Sequence, residues 1–351
     1  MALREKFGKL VLLEKLDESS FAASYRAARV SRSGFDRIVT LVRYSDAVST
    51  HPEAAPRLME EARAASRLQI PGLVRTLGIG RVERSYYASL ELLEGRTLRP
   101  TIDRAFEEGF PFAAENALMV ASRAAVVLES LHERQDGKGR PLVHGLVNPS
   151  HLVLTWEGDV RLAGLGVWPS LRGTGLLGDA DRRYLAPEQA AGERGGPPSD
   201  VYSLALVLLE TLSRGAADGP DPLAALEGAR FVTTTGEEEP LPRPLVELLE
   251  LGLASDPASR YPSMGDLRQA IDTLLFSGDF TPTTFNLAYF MQTIFREEME
   301  REAGALAEER QADYSEFLPA PVPEAPVPKT PEPTAGETPA AAPPPGRQVS
   351  D

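Results

Sequence analysis

The chain has 351 residues, a formal net charge of −14, no cysteine and four histidines. The acidic balance argues against a nucleic-acid partner, because phosphate backbones are bound by basic surfaces. Without cysteine the chain has no disulfide framework and no thiolate metal site, and with so few histidines we expect no bound metal.

No stretch of the sequence is typical of a secretion signal or a membrane span. Residues 1–16 mix charged and apolar side chains, and the longest apolar run, at 204–209, is far shorter than the roughly 20 residues that a bilayer requires. These features predict a cytoplasmic protein without a membrane partner.

The first 94 residues predict a domain of short strands with one helix. Apolar and polar side chains alternate at the period of a β-strand, and the runs are bounded by turn residues. The predicted elements are strands at 10–16, 23–30 and 38–43, a helix at 56–68, and a hairpin at 74–82 and 85–93.

Residues 95–279 predict a second, mainly helical domain. Apolar side chains recur there at helical spacing, and the run within 200–213 is apolar enough to be buried on all sides. The predicted elements are helices at 114–132, 200–213, 245–254 and 263–276, with short strands at 152–155 and 160–162.

Two appendages close the chain. Residues 280–317 predict a helical extension, with one long helix from 284 that carries an apolar stripe at positions i, i+3, i+4, i+7 and i+8. The stripe is a candidate for binding a protein partner or making a homodimer, although packing against its own domain is favoured because so large a stripe is rarely left open. Its residues are Leu287, Phe290, Met291, Ile294 and Phe295. Residues 318–351 contain 11 prolines and predict a disordered tail.

Four short motifs occur in a fixed order after residue 140. They are Val-His-Gly at 143–145 followed by Asn-Pro at 148–149, Tyr-Leu-Ala-Pro-Glu-Gln at 184–189, Asp-Val-Tyr-Ser-Leu at 200–204 and Asp-Pro-Ala-Ser-Arg-Tyr-Pro at 256–262. With these four motifs in this order, residues 7–276 resemble bacterial Hanks-type Ser/Thr protein kinases. The resemblance implies a two-lobed α+β fold, with a small antiparallel-sheet N-lobe at 1–94 and a larger helical C-lobe at 95–279.

The resemblance also implies structural roles for several residues. His144 and Leu165 would stack in the apolar column that joins the lobes, Asp200 would hold the loop around His144, and Glu188 would pair with Arg260. A further family position is Glu61, the helix carboxylate that pairs with a lysine in the family. A solvated carboxylate is the simpler interpretation of Glu61, and a partly exposed loop imidazole is the simpler interpretation of His151.

Phosphate transfer in the family depends on a glycine-rich loop, a lysine, a catalytic aspartate and two metal ligands. At the matching positions this sequence has Asp17, Ser19 and Ala22 for the glycines, Val42 for the lysine, Leu146 for the aspartate, and His151 and Gly164 for the metal ligands. Ser24 and Thr40 replace the apolar residues that enclose adenine, and the negative charge of Asp17 would repel a triphosphate.

From these replacements the sequence predicts a pseudokinase, which is not an enzyme and binds neither nucleotide nor metal. It would act as a signalling scaffold or regulatory interaction module for protein partners of unknown identity. Two alternatives stay open: an atypical transferase on the same fold, and a sensor that binds ATP without hydrolysing it.

Overall fold

The computed structural model describes residues 3–31, 34–110, 112–214, 218–219, 221–232, 237–277 and 284–317. The predicted disordered tail at 318–351 lies outside the described residues. In the part of the chain that the structure describes, every helix is too short or too polar to cross a lipid bilayer.

The N-lobe is built on a six-stranded antiparallel sheet. Its strands are β1 Glu5–Phe7, β2 Leu10–Glu18, β3 Ala22–Ser31, β4 Gly34–Tyr44, β5 Thr76–Val82 and β6 Ser85–Leu90, in the order β1-β2-β3-β4-β6-β5. Every strand that the sequence predicts is present, and β1 is an addition. Two helices, α1 Asp46–Thr50 and α2 Ala54–Ala65, follow β4.

Different parts of the protein pack against the two faces of this sheet. Side chains that pair across strands share a face, and Ser24 pairs with Val42 while Arg26 pairs with Thr40. We call the face with these four residues the inner face. On the opposite face, apolar side chains of β2 and β4 pack with Phe7 from β1.

The C-lobe is organised around two long helices, α4 Ala114–His132 and α8 Pro197–Leu212. Every residue of α8 from Ser199 to Leu212 is buried, as the apolar run within it predicts, and the few polar side chains of the helix, such as Asp200, are buried with it. The remaining elements are α3 Leu98–Glu107, α5 Val167–Leu171, α6 Asp179–Arg182, α7 Pro187–Ala190, α9 Pro222–Gly228, α10 Arg243–Gly252 and α11 Met264–Leu275, with strands β7 Gly95–Thr97, β8 Leu152–Thr155, β9 Val160–Leu162, β10 Arg230–Val232 and β11 Glu238–Pro240.

These elements give the two-lobed protein kinase fold that the resemblance implies. Helices α4, α8, α10 and α11 pack on one another and form one hydrophobic core. Strands β7, β8 and β9 make a small antiparallel sheet at the end of the C-lobe that faces the N-lobe.

The C-terminal extension differs from its prediction as one long helix. It forms two helices, α12 Thr284–Ile294 and α13 Arg296–Gln311, and ends in a short turn at Ser315–Phe317. The helices are separated at Phe295, whose backbone angles are φ −120° and ψ 24°. Phe295 is buried, so the ring at the break between the two helices stays in the core.

Candidate functional site

The loop at residues 143–151 is fixed from below by a buried carboxylate. Asp200 lies in the first turn of α8 and accepts hydrogen bonds from the backbone N–H groups of His144 and Gly145 at 2.8 and 2.7 Å. The Nε2 atom of His132 lies 2.8 Å from the same carboxylate. Burial alone would raise the pKa of Asp200, but the bonds from His132 and Gly145 outweigh it and hold the pKa below its ordinary value.

His144 occupies the centre of this loop and is fully buried. Its Nε2 atom lies 2.7 Å from the carbonyl oxygen of Ala163, just before the Gly-Leu-Gly triplet at residues 164–166. Burial, with a smaller contribution from nearby His151, lowers the pKa of His144 to about 4, so the imidazole is neutral at physiological pH. Leu165 packs against the C-lobe core.

The ion pair expected between Glu188 and Arg260 is present and bidentate. Two guanidinium nitrogens donate to the two carboxylate oxygens at 2.9 and 2.8 Å, and the Arg260 side chain has no exposed surface. Arg260 also donates to three backbone carbonyls, and its guanidinium lies 4.9 Å from the centre of the Tyr202 ring. Every charge in this group is therefore matched by several partners, which is what makes such burial tolerable.

A second polar group lies at the floor of the interlobe cleft. Asn148 accepts a hydrogen bond from the backbone N–H of His151 and donates one to Asp181, both at 3.0 Å. Burial raises the pKa of the Asp181 carboxyl and lowers that of the His151 imidazole. The sequence analysis missed Asp181; its place three residues before the Tyr-Leu-Ala-Pro-Glu motif is the signal that could have found it.

Above this floor the cleft contains an apolar cluster rather than a charged surface. We call it the cleft cluster; its members include Phe21, Leu58, Leu146, Trp168, Leu171 and Leu177, with Val42 packed against them. Leu146 has no exposed surface, and Val42 projects from the inner face of the N-lobe sheet. The cluster therefore joins the N-lobe, α2, the 143–151 loop and the segment after the Gly-Leu-Gly triplet.

The turn between β2 and β3, where the family has its glycine-rich loop, closes over this cluster. Ser19 and Ala22 bond to each other across the turn, while Asp17 is exposed. The Ser20 hydroxyl donates to the carbonyl oxygen of Leu176 at 3.3 Å and accepts from the N–H of Gly178 at 2.8 Å. Direct hydrogen bonds thus connect the N-lobe turn to the C-lobe segment opposite it.

Glu61 is half-buried on α2 and, among the described residues, makes no ion pair. Burial raises the pKa of its carboxyl, Glu60 adds to the rise, and Arg194 opposes it. A Cβ atom at Gly166 would lie 3.0 Å from the Cβ of Glu61, so the start of α5 packs directly on α2 at this residue.

The resemblance implies ATP with Mg²⁺ in this cleft, and the residues present do not fit that group. Val42 and Leu146 are apolar and belong to the packing of the cleft cluster. Gly164 has φ +83°, and a Cβ atom there would lie 2.6 Å from the His151 ring. Within the described ranges, no cluster of His, Asp and Glu side chains could hold a metal ion.

The five residues of the apolar stripe do not form an open docking surface in this conformation. All of them are between 0 and 6% exposed, because α12 packs against its own C-lobe. The Phe290 ring, for example, contacts the rings of Phe110 and Phe112 at centroid distances of 5.5 and 4.9 Å. The favoured alternative of the sequence analysis describes this packing; partner binding or dimerisation through α12 stays a prediction.

Known proteins are similar to this chain over most of its length. Residues 10–271 match the family model described as protein tyrosine and serine/threonine kinase. Tyrosine-protein kinase MasK of Myxococcus xanthus is 28% identical over 310 residues, which cover 84% of this chain and 47% of MasK. Serine/threonine-protein kinase PknA of Mycobacterium tuberculosis is 30% identical over 241 residues, which cover 64% of this chain and 52% of PknA. The chain thus spans about half the length of these relatives.

Among solved structures, the PknI kinase domain of Mycobacterium tuberculosis is similar in fold. A doubly substituted form of that domain aligns with a TM-score of 0.59 and 22% identity, over 78% of this chain and 98% of that domain. The unsubstituted domain gives a TM-score of 0.56 and 23% identity. At this identity the likeness concerns the fold alone.

One prediction from the sequence is corrected by these findings. The replaced cleft positions led to the expectation that the chain is not an enzyme, but the relatives are named as tyrosine or serine/threonine protein kinases. Those names point to an enzyme, so the expectation is wrong. It rested on a few cleft positions, whereas the similarity extends over most of the chain.

Proposed function

Because the chain belongs to the protein tyrosine and serine/threonine kinase family, we propose that it is an atypical bacterial signalling domain of that family and works by regulated interaction with other proteins. The observation that carries this proposal is a contrast within the fold. The polar contacts that order the C-lobe are complete, while the cleft is packed with apolar side chains that join the lobes.

Such an arrangement supports an interaction role for a physical reason. The Asp200 and Glu188 groups fix the 143–151 loop and the 184–189 segment, so the C-lobe offers a well-ordered surface. The cleft cluster couples that surface to the N-lobe. Because the cluster is closely packed, a shift of Trp168 or Leu177 would also move the N-lobe side chains that they contact. A partner that binds one arrangement of the lobes more tightly than another would then respond to changes in the packing of the cleft.

The second candidate is phosphotransfer by groups other than the standard ones. It is favoured by the kinase names of the relatives and by one feature of the cleft floor. Asp181 is a buried carboxylate with a raised pKa, hydrogen-bonded to Asn148 of the 143–151 loop. A carboxylate with a raised pKa beside that loop could accept a proton from a substrate hydroxyl.

A pair of matched variants separates the two candidates. Asp181→Asn removes the carboxylate but keeps an acceptor oxygen for Asn148, and Asp179→Asn is the control because Asp179 is fully exposed on the same helix α6. Each variant is tested in cells that lack the wild-type gene and in a phosphotransfer assay with ATP, Mg²⁺ or Mn²⁺ and a generic protein substrate.

The interaction proposal expects Asp181→Asn to restore the cellular phenotype as well as the wild type and Asp179→Asn do. The proposal would be overturned in favour of the second candidate by one result. Asp181→Asn, but not Asp179→Asn, would fail to restore the wild-type phenotype and would also lose a phosphotransfer signal that the wild type shows. Affinity of the purified variants for partners captured with the wild type gives an independent readout.

A further inference from the structure

The C-terminal extension contacts both lobes, although it follows the C-lobe in sequence. On the C-lobe side, Glu298 and Glu302 of α13 form ion pairs of 2.6 Å with Arg104 and Arg96. The same two arginines lie over the ring of Phe295, which is buried in the C-lobe core. The first half of α13 is therefore attached to the C-lobe by charge and by packing.

On the N-lobe side, the last turn of α13 is attached through Arg26 of β3. The Arg26 guanidinium donates to both carboxylate oxygens of Glu309 at 2.7 and 2.9 Å, and it lies 2.7 Å from Glu14 of β2. The Arg26 side chain is only 4% exposed. A bidentate, largely buried arginine–carboxylate pair is among the stronger polar contacts in proteins, and here it joins residues 283 positions apart.

Tyr314 provides a second N-lobe contact beyond the end of α13. Its ring is 3% exposed, stacks on Phe35 at 5.7 Å, and packs with Val11 and Leu13 of β2. Its hydroxyl donates to the carbonyl oxygen of Glu309 at 2.8 Å. This bond connects the aromatic contact directly to the arginine–carboxylate pair.

Both contacts lie on the inner face of the sheet, the face that also meets the cleft cluster. Arg26 pairs across the strands with Thr40, and Thr40 pairs with Leu90 at the end of β6. Val42, two residues further along β4, packs against the cleft cluster. The extension thus covers one end of the inner face and the cleft cluster covers the other.

The length of α13 suits a connection between the lobes. Sixteen residues in a helix span about 24 Å, and a helix resists stretching and compression far better than a coil of equal length. From these contacts we propose that residues 296–317 form a strap that ties the N-lobe to the C-lobe and holds the interlobe cleft closed. This inference does not depend on which of the two functions is correct.

The test measures the distance between the lobes. Because the chain contains no cysteine, Arg84→Cys in the β5–β6 turn and Gln269→Cys on α11 provide two unique, exposed positions for spin labels. Release is achieved in two ways: Glu309→Ala with Tyr314→Ala removes the ion pair to Arg26 and the aromatic contact to Phe35, and Gly-Ser-Gly-Ser inserted after Gly304 keeps them but slackens the connection. Gly304 is exposed, with no neighbouring atom within 4 Å of its Cβ position. Glu300→Gln, an exposed glutamate of the same helix, is the control.

We expect one narrow distance distribution in the unsubstituted full chain and in Glu300→Gln, and a broader, longer one in both released forms. Amide hydrogen exchange should rise at least tenfold at residues 19–21 and 176–178, where the lobes are hydrogen-bonded to each other. An unchanged distribution in both released forms would overturn the proposal. So would faster exchange throughout β2, β3 and β4 in the insertion variant, because the segment would then be part of the N-lobe core rather than a strap.

Discussion

Around Asp200 and Arg260 the C-lobe buries charged groups with full sets of partners, whereas the cleft a short distance above buries apolar groups around Leu146. Both regions involve the loop at 143–151, since Asp200 bonds to one side of it and Leu146 projects from the other. The region around Asp200 and Arg260 matches the family motifs closely. The cleft departs from the family at nearly every position that has a glycine, lysine, aspartate or metal ligand in active members.

This contrast shows that the contacts that maintain the fold and those that line the cleft are energetically separate. A buried charge costs several kcal/mol unless it is paired, so the Glu188–Arg260 and Asp200 groups tolerate little change. An apolar cluster depends instead on volume and shape, and several residue types can satisfy it. One lobe can therefore keep its framework while the adjoining cleft changes its chemistry.

The largest effect is expected for Arg260→Ala, which removes one partner of the buried ion pair in the C-lobe. The substitution leaves Glu188 partly buried without its partner, and we expect it to lower the free energy of unfolding by roughly 3–5 kcal/mol. Urea denaturation followed by circular dichroism measures the change. The control is Glu188→Leu with Arg260→Met, which removes both charges and should cost far less. Equal losses in the two variants would show that packing, not pairing, is what matters there.

A second substitution, Gly164→Asp, examines the cleft floor. Because Gly164 has φ +83° and its Cβ would lie 2.6 Å from His151, an aspartate meets both backbone strain and overlap. We expect a loss of about 2–4 kcal/mol. In a His151→Asn background the overlap is relieved, so a double-mutant cycle should give a favourable coupling of about 1–2 kcal/mol. Additive effects would mean that the aspartate at position 164 is accommodated without any contribution from His151, and that the packing of the cleft floor is looser than the geometry indicates.

The sequence was informative where local pattern and local structure coincide. Helix Ala114–His132 was predicted to the residue, and strands were expected near Leu152–Thr155 and Val160–Leu162, where they are found, because their apolar spacing matches their burial. Helices α1, α5, α6 and α7 were missed, since four or five residues are too few to show a period, and the longer helices α3 and α9 were missed as well.

Contacts between distant parts of the chain left no such local signal. Asp181 meets Asn148 across 33 positions, and Glu309 meets Arg26 across 283. The stripe on α12 was recognisable as apolar, but only the fold shows that its own C-lobe covers it. The prediction that the chain is not an enzyme had the same origin: it used cleft positions one at a time, without the similarity of the whole chain to named kinases.

The smallest changes in stability are expected when two glutamates, one from each region, are replaced by glutamine. Burial disfavours the charge of both, but Arg260 and Ser199 hold the pKa of Glu188 below its ordinary value of 4.5, whereas that of Glu61 is raised above 4.5. Neutral Glu188→Gln should therefore cost about 1.5–3 kcal/mol, while Glu61→Gln should stay within about 0.5 kcal/mol of the wild type.

The pH dependence of these two variants has opposite signs. The stability that Glu188 contributes is present above pH 4.5 and is lost as pH falls through its lowered pKa, so Glu188→Gln flattens the acid limb of the stability curve. Glu61 binds a proton more tightly in the folded state, so its contribution falls as pH rises from 4.5 through its raised pKa, and Glu61→Gln should gain relative stability over that interval. Denaturant midpoints measured between pH 3 and 7 decide the matter. A loss in Glu61→Gln that grows with pH would mean that Glu61 has a cationic partner in solution, and the cleft would then share the paired-charge character of the C-lobe framework.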